Sequence, residues 1–354
     1  MRSPSTDRVE VPFSARFHFA RSGRNPDGTP VEGLRMVRSN DPGFQHHPVM
    51  LDEVLELLVQ VPEGVVVDAT LGGAGHASAL LDAAPQLSLV GLDQDPDALA
   101  AARDRLARFG PRAVVLRRRF DRLGEALDEL GVDPVSAVLF DLGVSSPQFD
   151  RPERGFSYRL EGDLDMRMDP DAPLSAADVV NGWNERDLAA LFRANGETRF
   201  SSRIARAVVA GRPVGSTTEL AEIVKNAIPA AARRHGGHPA RRAFQAIRIA
   251  VNQELEILPD ALDQALSRLA PGGRCVAISY HSGEDRIVKE RFRVAATGGC
   301  VCPPGMPCVC GAQPTVRLLA RGARRPSPAE IESNRRAESA RLRAVEAIAP
   351  EAAP

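Results

Sequence analysis

The sequence of 354 residues lacks several features that identify common classes of protein. It has no run of about 18 apolar residues, so we expect no membrane-spanning helix, and its first thirty residues lack the apolar segment of a secretion signal. Only five cysteines occur, which excludes a secreted disulfide framework. Its 45 basic and 46 acidic residues exclude a uniformly basic nucleic-acid coat protein. We therefore expect a soluble, cytoplasmic, globular protein.

Two nucleotide-binding motifs are also missing or incomplete. The chain contains no G-x-x-x-x-G-K-[ST] segment, which disfavours a P-loop nucleoside triphosphatase. The segment Gly73-Ala74-Gly75 is followed by Ser78 where the dinucleotide pattern G-x-G-x-x-G requires its last glycine. This break disfavours a nicotinamide-dependent enzyme, although a glycine-rich loop before a helix still allows a nucleotide-like ligand to approach the main chain.

Short apolar runs alternate with helical patterns in the first half of the chain, which is typical of a parallel α/β sheet. About a hundred residues of helical patterns then follow, before a further helix and a fifth strand at 274–280. We predict one sheet domain interrupted by a helical insertion. The predicted segments are a flexible extension at 1–43, the α/β domain at 44–144 and 246–320, the insertion at 145–245, and a partly disordered tail at 321–354.

Three predicted strands end in an acid, at Asp68, Asp93 and Asp141. Ligands of open α/β sheets bind outside the carboxyl ends of the strands, so we expect these acids to converge on one crevice. Asp93 is placed to accept hydrogen bonds from ribose hydroxyls; the alternative is an ordinary acid at a helix N-terminus. Acids without a phosphate-binding motif favour a ligand with a ribose and a positive centre, and S-adenosylmethionine fits better than NAD or ATP.

Positive charge is concentrated in residues 199–248, which hold ten Arg or Lys against two acids, a net charge of +8, so that the rest of the chain carries −9. Such segregation is what a local RNA-binding surface on a nearly neutral protein requires. The alternative is a solvated face whose charges pair with the acidic remainder. We predict that the helical insertion recognises RNA.

Several long motifs give the chain a resemblance to the bacterial RsmH (MraW) methyltransferase family, over about residues 45–320. The resemblance implies a Rossmann-like class I S-adenosylmethionine-dependent sheet. It also implies methylation of the exocyclic N4 of a cytidine in 16S ribosomal RNA of the small subunit, near the decoding site. The motifs are HHPVML at 46–51, DATLGGAGH at 68–76, DQDP at 93–96, DLGVSSPQ at 141–148, RGFS at 154–157, DLDMRM at 163–168, FQAIRI at 244–249, VNQEL at 251–255 and SYHSGEDR at 279–286.

The resemblance also implies which residues contact the cofactor. Phe120 lies beside the adenine, Asp93 binds the ribose, and loop residues approach through their main chain. The implied cofactor-binding residues are Ala74, Gly75, His76, Asp93, Phe120, Asp141 and Gln148.

The cytosine amine is a poor nucleophile, so a methyltransferase must align it and accept its hydrogen bonds. We predict Asp141 or the turn at Ser145 and Ser146 as the acceptor, with ordinary turn chemistry as the alternative for the serines. His281, at the end of the fifth strand, is a candidate to contact the base or take a proton. The alternative for His281 is a histidine with a purely structural role.

Two other functions stay open at this stage. One is a DNA amino-methyltransferase, although Asp141-Leu142-Gly143-Val144 lacks the Pro-Pro-aromatic sequence usual in those enzymes. The other is a non-catalytic module that binds the ribosome.

Four cysteines, at 300, 302, 308 and 310, are close enough in sequence to hold zinc. Their C-x-C spacing is less favourable than C-x₂-C. We therefore expect a loop of reduced thiols and no metal.

Overall fold

The computed structural model describes residues 48–233, 238–303 and 309–349. The predicted extension at 1–43 lies outside these residues. In the described segments, no helix is both long and apolar enough to cross a membrane.

A seven-stranded mixed sheet forms the centre of the fold, in the order β3-β2-β1-β4-β5-β7-β6. The first five strands run parallel, and β7 is antiparallel to both β5 and β6. This sheet confirms the predicted Rossmann-like α/β class. The strands are β1 (Gly64–Asp68), β2 (Leu87–Asp93), β3 (Ala113–Arg117), β4 (Val135–Asp141), β5 (Leu269–Ser279), β6 (Val316–Leu318) and β7 (Arg341–Ala347).

The central strands are buried on both faces, which explains why they read as continuous apolar runs. Helices α1, α2 and α3 cover one face, and α4, α12 and α13 cover the other. These helices are α1 (Leu51–Leu58), α2 (Gly75–Ala83), α3 (Pro96–Leu106), α4 (Leu123–Leu130), α12 (Glu254–Ser267) and α13 (Ser282–Thr297).

A helical region between β4 and β5 has a core of its own, in which Phe192, Ile204 and Phe244 are buried. The predicted boundary at 245 falls inside its last helix, because Ile247 and Val251 still pack into this core. Its helices are α5 (Ser146–Asp150), α6 (Ala176–Gly182), α7 (Glu185–Ala194), α8 (Ser201–Ala210), α9 (Thr217–Ala227), α10 (Ala230–Arg233) and α11 (Arg241–Asn252).

The tail differs from the sequence-based prediction, which gave residues 321–354 as a partly disordered segment. The structure forms α14 (Pro328–Ser333) and then inserts β7 between β5 and β6. Arg341 and Arg343 hide the apolar alternation of this strand. Both pair with Asp285, whereas the intervening Leu342 is 1% exposed. The amino-acid composition of this segment is therefore typical of a charged tail, but its alternation of charged and buried side chains is typical of a β-strand.

Candidate active site at the carboxyl edge of the sheet

The loop between β1 and α2 has one packed side and one open side. Gly72 and Ala74 are left-handed, with φ of 51° and 57°, and among the described residues no side chain caps α2. A side-chain carbon on Gly75 would come within 2.6 Å of Pro48 Cγ, whereas one on Gly73 would meet no atom within 4 Å. The first N–H groups of α2 are therefore available to a ligand that approaches the main chain closely.

Asp93, at the end of β2, is tied to this loop. Its Oδ2 accepts a hydrogen bond from the Gly72 N–H at 2.8 Å, and its Oδ1 accepts one from the Asp95 N–H at 2.9 Å. Each oxygen keeps a second lone pair, enough to accept from a ribose diol. Burial raises the pKa of Asp93 to about 6, although the backbone hydrogen bonds oppose this rise.

A buried polar network joins the loop after β2 to the loop after β4. The Gln148 side chain donates from Nε2 to Asp95 Oδ2 at 2.8 Å and accepts from the Ser145 N–H at 3.0 Å. Arg154 Nη1 lies 2.9 Å from the same Asp95 oxygen. Gln148 therefore joins the two loops through its side-chain amide. Ser145 takes part through its backbone, and Ser146 begins α5.

Asp141, at the end of β4, is held by residues from three elements. Its Oδ1 accepts a hydrogen bond from the Tyr280 hydroxyl at 2.7 Å, and its Oδ2 lies 3.6 Å from His76 Nδ1. Its backbone N–H donates to Thr70 Oγ1 at 2.6 Å. Burial raises the pKa of Asp141, while His76 and the Tyr280 hydroxyl lower it. His76 Nε2 lies 3.0 Å from the Val49 carbonyl oxygen, which can only accept, so Nε2 carries a proton, and Nδ1 faces Asp141.

Asp68 completes a group of three acids. It is 3% exposed, and its Oδ1 accepts a hydrogen bond from the Thr70 N–H at 3.2 Å. Burial raises its pKa to about 8, and repulsion from Asp141 and Asp93 adds to the rise. The structure therefore brings the three predicted carboxyl groups to one edge of the sheet, where Asp68 feels the charge of the other two.

Phe120 and His281 differ in what their rings contact. The half-buried Phe120 ring packs edge-on against Phe140 with the ring centres 6.1 Å apart, in the turn that follows β3. The His281 ring caps α13 instead: its Nδ1 accepts from the Gly283 N–H at 3.1 Å, and its Nε2 lies 3.2 Å from Glu284 Oε1. Nδ1 is therefore used by the cap, whereas the buried Nε2 makes no hydrogen bond among the described residues. A role of His281 in catalysis stays a prediction.

Four residues of this site were not singled out from the sequence, although all lie in or beside the quoted motifs. Tyr280 and Thr70 hold Asp141, and Asp95 and Arg154 form the polar network. Position in a motif was the only available signal, because their partners lie far away in the chain.

A model of the MraW methylase family matches residues 43–348. The chain belongs to this family.

Curated relatives agree with the MraW assignment over nearly their whole length. Three proteins named ribosomal RNA small subunit methyltransferase H are similar to this chain. The protein of Mycobacterium sp. (strain KMS) is 49% identical, over 96% of this chain and 93% of its own. That of Symbiobacterium thermophilum is 51% identical, over 85% and 96%, and that of Thermobifida fusca is 52% identical, over 86% and 94%.

As a member of the MraW methylase family, the protein uses S-adenosylmethionine as methyl donor. The residues of the crevice fit this cofactor. The open main chain at Gly73 leaves room for a nucleoside, Asp93 offers lone pairs to a ribose, and buried acids suit a sulfonium charge. The cofactor contacts that the resemblance implies for Ala74, Gly75, His76, Phe120, Asp141 and Gln148 stay a prediction.

Cofactor binding is expected to release protons near pH 7. Asp68 is largely protonated there, because its pKa is raised to about 8, and a sulfonium charge in the crevice favours the ionised form of a carboxyl group. Binding should therefore tighten as pH rises from 6 to 8. Titration calorimetry in buffers of different ionisation enthalpy would count the protons released.

S-adenosylhomocysteine, which lacks the sulfonium charge, is the matched ligand and should release fewer protons. Asp68→Asn should remove most of the difference in proton release between the two ligands. Asp82→Asn changes an exposed acid on α2 and should leave that difference unchanged. Equal proton release with both ligands in the unmodified protein would contradict the electrostatic account of the crevice.

Proposed function

We propose that this protein transfers a methyl group from S-adenosylmethionine to the exocyclic N4 of a cytidine in 16S ribosomal RNA, near the decoding site of the small subunit. Family membership and relatives named as ribosomal RNA small subunit methyltransferases support this function. The observation that carries the chemistry is the half-buried Asp141 carboxylate, which the Tyr280 hydroxyl orients and which lies 3.6 Å from His76, at the start of α2. We also expect the protein to act in the cytoplasm, where ribosomal subunits are made.

The proposed chemistry uses the Asp141 carboxylate as a hydrogen-bond and proton acceptor. S-adenosylmethionine supplies an electrophilic methyl group on sulfur. The N4 nitrogen forms a bond to the methyl carbon as the carbon–sulfur bond breaks, and one amine proton passes to Asp141. The Tyr280 hydroxyl stays a neutral donor because burial and the adjacent carboxylate raise its pKa well above the usual value. Asp141 is therefore fixed in orientation, with its second oxygen directed away from Tyr280.

RNA recognition is proposed for the helical region, but only part of its positive charge is available. Arg248 is buried in an ion pair with Glu254, at 2.7 Å. Arg212 and Arg233 donate to backbone carbonyl oxygens of the same region. These three arginines hold the helices together. Among the described residues of the segment, the exposed arginines are Arg199, Arg203, Arg206, Arg241 and Arg242.

Removing two exposed charges from α8 is expected to weaken RNA binding. The double variant Arg203→Ala/Arg206→Ala should raise the Kd for 16S RNA about 10-fold at low salt and reduce the slope of log Kd against log salt by about 1.5, because each phosphate contact contributes about 0.7–0.9 to the slope. Filter binding over a salt series measures both. The control, Arg291→Ala/Arg293→Ala, removes two arginines of α13 and should change neither; equal losses in both variants would argue against recognition by the helical region.

Transfer of a labelled methyl group to defined substrates tests the function. We expect label on small subunits, or on their RNA, from a strain that lacks this modification, and nucleoside mass spectrometry should identify N4-methylcytidine. Label on DNA instead would favour the DNA amino-methyltransferase. Binding to small subunits with no transfer under any condition would favour a non-catalytic module. Either result would overturn the proposal.

A further inference from the structure

The loop from α13 to β6, residues 298–315, is secured at both ends. The Cys300 N–H donates to the Thr297 carbonyl oxygen at 3.1 Å, and the Thr315 N–H donates to the Ala295 carbonyl oxygen at 3.0 Å. Its described residues, 298–303 and 309–315, contain neither helix nor strand.

Three thiols converge within this loop. The Sγ atoms of Cys300, Cys302 and Cys310 all lie within 4.8 Å of one another, and those of Cys300 and Cys310 are 3.6 Å apart. Thiolates bound tetrahedrally to zinc at about 2.3 Å are separated by about 3.8 Å. The separations therefore suit three ligands of one ion. Cys308, which the sequence analysis grouped with them, lies outside the described residues.

The surroundings of the thiols also favour a metal. The Val309 N–H donates to Cys302 Sγ at 3.4 Å, the kind of outer contact that orients a thiolate ligand. Val301 and Val309 are 85% and 89% exposed, whereas Cys300 and Cys302 are half-buried. The loop thus turns its apolar side chains outward and its sulfur atoms toward each other. A loop held by hydrophobic contacts would do the reverse.

We propose that Cys300, Cys302 and Cys310 bind one zinc ion, which fastens this loop to the end of α13. Zinc accepts thiolate ligands in tetrahedral geometry and has no redox chemistry of its own. The three thiols lose their protons to solvent as the ion binds, and the site is structural. The sequence analysis predicts reduced thiols without a metal. The contact between Cys300 and Cys310, which lie ten positions apart in the chain, favours a metal site instead.

The test uses the full chain, purified under reducing conditions without added chelator. We expect about one zinc per chain by elemental analysis, and a first shell rich in sulfur at about 2.3 Å by X-ray absorption. Cobalt exchanged into the protein should show thiolate charge-transfer bands. Cys302→Ser should weaken these bands, and the triple change Cys300→Ser/Cys302→Ser/Cys310→Ser should abolish both the bands and the bound zinc.

Cys275→Ala is the matched control, because Cys275 is a buried cysteine of β5 outside the loop. It should leave zinc content and cobalt spectrum unchanged. Should the triple variant fail to fold, the single variant still reports through the cobalt bands. Full zinc content in a folded triple variant would place the metal elsewhere and overturn the proposal. A Cys300–Cys310 disulfide, with no metal, in the reduced preparation would do the same.

Discussion

Replacing Asp141 with asparagine is expected to lower kcat for methyl transfer by about 100-fold or more, with a much smaller change in KM. A positioned proton acceptor contributes about 10²–10⁴-fold, and asparagine keeps the shape of the side chain and the acceptor for the Tyr280 hydroxyl. The loss should therefore appear in the chemical step. Single-turnover transfer to small ribosomal subunits, at saturating S-adenosylmethionine, measures it directly.

The dependence on pH should follow from the same carboxylate. The pKa of Asp141 is raised by burial, and only its ionised form accepts a proton, so activity should fall as pH decreases. Tyr280→Phe removes a hydrogen bond that lowers this pKa. That variant should keep measurable activity, with the acid limb of its profile moved to higher pH. A structural role for Tyr280 alone would lower activity equally at every pH.

Asp82→Asn is the control for these variants, since Asp82 is an exposed acid that pairs with Arg108 on the surface. Its activity should stay within about twofold of the unmodified protein. If Asp141→Asn retained more than half of the activity and the original pH profile, Asp141 would not be the proton acceptor. The turn at Ser145 would then be the next acceptor to test.

The sequence was most informative where the position of a functional group follows from the direction of the strands. Asp68, Asp93 and Asp141 each end a parallel strand, and parallel strands present their carboxyl ends at one edge. Convergence of the three acids therefore needed no knowledge of side-chain packing. The same reasoning predicts a boundary between the sheet and the helical region, because the two differ in apolar period.

Contacts between distant residues could not be predicted in this way. The Tyr280 hydroxyl reaches Asp141 across 139 positions of the chain, and composition carries no information about such a contact. His281 shows the opposite problem. It directly precedes α13, where its ring caps the helix, a role that its place at the end of a strand does not reveal. Arg248 is similar, because a basic side chain in a basic segment proved to be buried against Glu254.

Truncation after Arg321 is expected to abolish folding, which is the largest effect on stability that we predict. The cut removes β7, which pairs with β5 from Arg274 to Ser279 and also separates β5 from β6. It also removes Glu330, whose Oε1 accepts from the Met50 N–H at 2.6 Å before α1. The long edge of β5 would then lie unpaired, a template for aggregation. Expression of the truncated chain should yield insoluble protein.

Two leucine variants test the contribution of β7 to stability as a measured free energy of unfolding, because the two leucines differ mainly in burial. Leu342, in β7, is 1% exposed, whereas Leu318, in β6, is 46% exposed. Leu342→Ala should reduce the free energy of unfolding in urea by about 2–5 kcal/mol, and Leu318→Ala by less than about 1 kcal/mol. A large loss for Leu342→Ala alone would show that β7 completes the hydrophobic core. A small loss for both variants would show that β7 only covers the core. Similar small losses in both, with a soluble and active truncated chain, would show that the sheet is stable without its last strand.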